Sequence, residues 1–180
     1  VVTPQMKRWH ALHTLEVVYR DAFNNQLNDR YGAKVTEYRE LARQGRDNTV
    51  KFGIGLVNSP IPKAAVPVLG TAAGAGSATI YYVEVSWVSA LGQEGAPSDA
   101  SALTTQDGTL LTVQAVNPPA GATGFNVYAG TSADSLMLQT ATPGAIGGIF
   151  TLVSLTAGAA PGNGQAADTY VVGGSTLRRG

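Results

Sequence analysis

His10 and His13 stand three residues apart, and Glu16 follows three further on. On a helix this spacing puts the three side chains in one row, where two imidazoles could hold a divalent metal. Such a site needs a second pair of ligands from elsewhere, and the sequence supplies none: there is no Cys, and no His beyond His13. The plainer reading is a polar helix edge at a subunit contact. The same absences exclude Cys-ligated zinc, a disulfide framework, a thiol nucleophile and a Ser-His-Asp triad in the rest of the chain. The acids beyond residue 63 are Glu84, Glu94, Asp99, Asp107, Asp134 and Asp168, scattered singly. Scattered carboxylates suit neither a paired-carboxylate hydrolase nor a calcium cage at Glu94/Asp99 or Asp134. Gly53 and Gly55 lack the dinucleotide-binding spacing, and GTAAGAG (70–76) has no Lys-Ser/Thr after it, so nucleotide loops are not expected. Arg39, Arg43, Arg46 and Lys51 could form a basic face, but Glu37, Glu40 and Asp47 interleave with them. That pattern is a solvated helix face rather than a sequence-specific reader of nucleic acid. The sequence thus predicts a protein that is not an enzyme and has no cofactor and no metal.

The elements that carry these residues fall into two regions of unlike charge. Residues 1–63 hold ten basic and six acidic side chains, a net +4, while residues 64–177 hold six acids and no Lys or Arg, a net −6. Arg178 and Arg179 bring the chain to zero. Only 13% of residues are charged, and 22 of the 180 are Gly. A weakly charged Thr/Ser/Gly/Ala surface suits a protein held in an assembly or working outside a cell. No apolar run is long enough for a membrane span. The first residues lack an initiator Met and an apolar leader core, as expected of a processed product or trimmed fragment.

Thr3-Pro4 reads as a helix start, a hydroxyl cap followed by a residue that needs no N–H donor. Met6, Trp9, Leu12, Leu15, Tyr19, Phe23, Leu27 and Tyr31 then recur at helical spacing, and Val17, Val18 and Ala22 widen the apolar arc. Gly32 is the expected end of this helix. A second helix should place Val35, Tyr38, Leu41 and Ala42 on one face and stop near Gly45. Two such helices cannot bury so wide an arc alone, so other subunits or further chain must complete the core.

Phe52, Ile54 and Leu56 alternate with glycines, and Pro60, Pro62 and Pro67 favour a stiff extended path, so Phe52 to Pro67 reads as an arm. Leu69 to Ser77 reads as a small-residue linker. From Thr79 onward the pattern is all-β. Tyr81, Val83, Val85 and Trp87 form the expected core face of one strand, and Ile80, Tyr82, Glu84, Ser86 and Val88 its other face. Further strands are expected over 98–105, 109–116, 124–130, 135–141, 148–155 and 169–172, the spacing of a β-sandwich. The fold class is therefore α+β in two modules, a helical segment followed by an all-β sandwich. The boundaries are a helical docking and oligomerisation module over 1–58, an extended arm and linker over 59–78, and the sandwich over 79–180.

YYVEVSWVSALGQEGAPS (81–98) and PPAGATGFNVYAGTSADSLMLQT (118–140) resemble fibronectin type III-like, Ig-like domains of bacteriophage and bacterial surface proteins. WHALHTLEVVYRDAFNNQLNDRYGAKVTEYRELARQ (9–44) with FGIGLVNSPIPKAAVP (52–67) looks like a tailed-phage neck or head-to-tail adaptor (connector) protein. The resemblance implies a structural virion protein in the neck or tail region, present in host cytoplasm during assembly. It would form a homo-oligomeric ring, dodecameric by that resemblance, against portal and tail proteins, with no membrane and no sequence-specific nucleic acid as partner. Trp9, Leu12, Tyr19, Phe23, Leu27, Phe52, Ile54, Leu56, Pro60 and Pro62 are the expected contacts with other copies or partners. The alternative is a secreted or surface accessory module that binds carbohydrate or protein.

Overall fold

The computed structural model describes residues 3–26 and 29–172. The chain divides into two compact units: unit 1, Val1–Asn58 with Ala166–Gly180, and unit 2, Ser59–Gln165. Unit 2 is thus an insertion within unit 1, rather than a C-terminal domain that runs to residue 180.

Unit 1 is an α-helical hairpin with a two-stranded ribbon. Helix α1, Pro4–Gln26, begins as the sequence predicts: Thr3 caps it, accepting a bond from the Met6 N–H on Oγ1 (3.3 Å). A short 3-10 turn, Asp29–Tyr31, leads into α2, Gly32–Phe52. Gly32 therefore opens α2 and does not close α1. Nor does Gly45 end α2. It lies mid-helix and buried, where an added Cβ would come within 3.2 Å of the Trp9 Cα. Its missing side chain is what lets the two helix backbones approach. Helix α2 ends at Gly53, whose φ of +88° is open to glycine and whose N–H donates to the Thr49 carbonyl.

Past Gly53 the chain forms β1, Ile54–Leu56, paired antiparallel with β10, Thr169–Val171, with Ile54 opposite Val171 and Leu56 opposite Thr169. The strand expected at 169–172 exists, but it belongs to this ribbon and not to the sandwich.

Unit 2 is the β-sandwich. One sheet has the order β2–β5–β9, from Val68–Ala73, Thr109–Gln114 and Ile149–Leu152. The other has the order β4–β3–β6–β7, from Ser101–Thr104, Ile80–Ser89, Ala122–Gly130 and Met137–Leu138, with β8, Gly144–Ala145, also on β6. Both sheets contribute to one core: Val83, Val85, Trp87, Phe125 and Val127 from one, Leu111, Val113 and Leu152 from the other. Trp87 meets Phe125 edge to face, ring centroids 6.3 Å apart.

Two expectations are corrected here. The arm is not free, because Ile61 and Ala64 enter this core and the Ala64 N–H donates to the Ala96 carbonyl. Prolines kept the segment extended, and an extended segment can still lie along a sandwich and bury every third residue, here Ile61, Ala64 and Pro67. The linker is largely a strand, since Val68–Ala73 pairs with Thr109–Gln114 over its whole length.

Candidate interaction surfaces

Four of the ten expected contact residues form the seam between α1 and α2. Trp9 and Leu12 flank Gly45, Tyr19 stacks on Tyr38 with centroids 5.1 Å apart, and Phe23 lies beside Gly32. All four are half-buried within the chain. Leu27 lies outside the described residues. The buried side of α2 is narrow: Val35, Ala42, Gly45 and Thr49. A hairpin packed on such small residues covers one stripe of α1 and leaves the rest of its apolar arc in water.

The open part is Leu15, Val17 and Val18, the last 55% exposed. A second apolar surface sits on the ribbon. Gly55 is buried against Thr3 and Ala167, while Ile54, Leu56 and Val171 are exposed on the opposite face, with Phe52 and Val50 exposed in the last turn of α2. Phe52, Ile54 and Leu56 are thus open for contact. Pro60 and Pro62 are exposed too, either side of buried Ile61. Sequence spacing pointed to a broad arc but not to the part the hairpin leaves open, which depends on how small α2's inner residues are.

Along the same hairpin, α1 and α2 frame a cleft of about 370 Å³ lined by Trp9, His13, Glu16, Arg39, Ala42, Arg43 and Arg46. Glu16 is its buried counter-charge. His13 Nδ1 stands 3.2 Å from Glu16 Oε2, and Arg20 Nη1 and Arg39 Nε each stand 3.6 Å from Oε1. Glu16, the last residue of that row, is thus taken up by His13 and two arginines. His10 is exposed, and among the described residues no group of three His, Cys, Asp or Glu is placed to hold a metal. Three of the four residues of the expected basic face, Arg39, Arg43 and Arg46, do converge, on the wall of this cleft.

Unit 2 holds one polar cluster that alternation did not foretell. Ser86 and Tyr128, neighbours on the outer face of β3 and β6, both donate to Glu94 Oε1, Tyr128 at 2.6 Å. The turn carrying Glu94 folds back over the sheet, the Gly95 N–H donating to the Trp87 carbonyl. Ser86 and Val88 are buried for that reason, although they lie on the face opposite the expected core face. Burial, then the Glu94 hydrogen bond, push the Tyr128 phenol well above its usual range, so it stays a donor. With no imidazole or thiol beside it, the cluster pins a turn. No aromatic side chain of unit 2 is exposed.

No protein-family model matches the chain, and no curated protein matches it. Among the described residues no helix is long and apolar enough to cross a membrane.

Proposed function

We propose that this chain is a non-enzymatic structural virion protein, a neck or head-to-tail adaptor of a tailed bacteriophage. Its helical unit builds a ring of identical copies between portal and tail, and each copy displays an inserted fibronectin type III-like domain. One observation supports this reading above the others. Unit 1 leaves large apolar side chains open on two separate surfaces, Leu15/Val17/Val18 on α1 and Phe52/Ile54/Leu56/Val171 around the ribbon. Two different sticky surfaces on one body favour head-to-tail association, which closes into a ring when the rotation allows. The accessory-module reading is weaker, because unit 2 offers no exposed aromatic ring on which a sugar could stack.

Electron microscopy of the purified full-length chain tests the proposal. Closed rings of uniform diameter and fixed copy number are the expected result. A monodisperse monomer at high concentration that binds immobilised glycans would overturn it and return the accessory reading.

A further inference from the structure

We propose that the arginine cleft of the α1–α2 hairpin seats the acidic β-sandwich of a second copy of this chain. The inference rests on the assembly reading above and adds which surfaces meet. The cleft has an apolar wall at Trp9 and Ala42 and a rim of guanidinium groups. A second cleft of about 480 Å³, lined among others by Arg20, Phe23 and Arg39, continues along the hairpin. Four guanidiniums thus line one seam.

Their present partners leave them unsaturated. Arg20 and Arg39 share Glu16 at 3.6 Å each, and Arg43 reaches Glu40 only at 4.0 Å. Arg46 alone has a short contact, with Asp47 at 3.1 Å. Four cations face three carboxylates, and each guanidinium carries five donors. The seam is therefore suited to more carboxylates.

The chain itself supplies a surface of the required sign. Unit 2 has five acids and a single Lys, a net −4. Unit 1 has eleven basic and seven acidic residues, a net +4. Like units of two copies repel, while the hairpin of one attracts the β unit of the next. That contact is heterologous, as ring closure requires. Asp99 and Asp134 are exposed on unit 2; Asp134 has its carboxylate to offer, while Asp99 shares its own with Lys63 at 2.5 Å. Nucleic acid is the competing polyanion. It is disfavoured because every copy that brought a hairpin to it would also bring a net −4 β unit.

A charge swap in the full chain tests this. Arg43→Glu with Arg46→Glu reverses the charge on the cleft wall, and Asp99→Lys with Asp134→Lys reverses those two side chains and takes the β unit from a net −4 to zero. All four positions are exposed, and circular dichroism melting would verify that each variant folds. Sedimentation velocity is run from about 0.05 to about 0.5 M NaCl, a range over which screening becomes strong. Wild-type association should weaken with salt. Each double variant alone should associate at least about tenfold more weakly at low salt, and an equimolar mixture of the two should recover it. If Arg43→Glu/Arg46→Glu associates like wild type at every salt, the cleft plays no part, and assembly rests on the apolar surfaces alone. If the mixture does not recover, the β unit is not the occupant. Wild-type protein that stays monomeric throughout overturns the assembly reading as well. Loss of duplex-DNA binding in Arg43→Glu/Arg46→Glu with unchanged self-association would assign the cleft to phosphate instead.

Discussion

Unit 2 closes its own core and unit 1 does not. In unit 2, Trp87, Phe125, Leu111, Val113 and Val127 are all within 1% of complete burial. In unit 1 the buried hydrophobics among the described residues are Val35 and Ala42, while Val18, Phe52, Ile54 and Val171 lie open. The sandwich brings two sheets together from both sides. A two-helix hairpin with a three-residue-wide ribbon has only one inner face. The difference is one of burial: unit 2 covers its own apolar core, and unit 1 leaves apolar surface that the proposed assembly would cover.

The sharpest way to break this contrast is to damage the closed core. Trp87→Ala should destabilise unit 2 by about 3–5 kcal/mol, read by chemical denaturation. A loss under about 1 kcal/mol would place Trp87 outside the core, against its burial. Gly45→Leu tests the hairpin seam. A side chain there collides with the Trp9 backbone, and the loss expected from overpacking is about 1–3 kcal/mol, confined to unit 1.

Tyr128→Phe comes next, leaving Ser86 on Glu94 without the second donor, at a cost of about 1 kcal/mol. Its pH signature is more telling. The folded phenol titrates above the unfolded one, so stability is intact below about pH 10 and falls as pH rises past it. The variant should lose that alkaline decline in melting temperature. Glu84→Gln is the smallest effect. Burial first, then Asp99, raise the Glu84 carboxyl, with Lys63 opposing, so the ionised form is the disfavoured one in the fold. Neutralising it should raise stability by roughly 0.5 kcal/mol or less at pH 7 and change nothing below the unfolded carboxyl pKa.

The sequence made the core of unit 2 legible because its large side chains alternate. Tyr81, Val83, Val85 and Trp87 point to one face, and the last three are buried there. Strand β2 was hidden for the opposite reason. Leu-Gly-Thr-Ala-Ala carries no pattern of large residues, and it is held by backbone pairing with β5. The insertion was also hidden, since β1 finds its partner at the far end of the chain and no local pattern reports such a pairing. Gly45 was misread because glycine serves both helix ends and close helix approach, and only the position of Trp9 decides between them. Ser86 was placed outside the expected core face, and its burial was not legible because alternation cannot see a turn folding back over its own sheet. For the interaction surfaces, the sequence showed that α1 had more apolar surface than one partner could cover. It did not show that Trp9, Tyr19 and Phe23 would be used internally and that Val18 would be left.

The central claim is that the proposed self-association requires the apolar surfaces that unit 1 leaves open. Sedimentation velocity of the full chain beside Val18→Asp/Ile54→Asp tests it most directly, because both side chains are exposed and neither belongs to unit 2. The account expects a closed oligomer for the wild type, and a monomer for the variant whose sandwich melts at the unchanged temperature. A variant that assembles like wild type, or a wild type that is monomeric at every concentration tested, would contradict it.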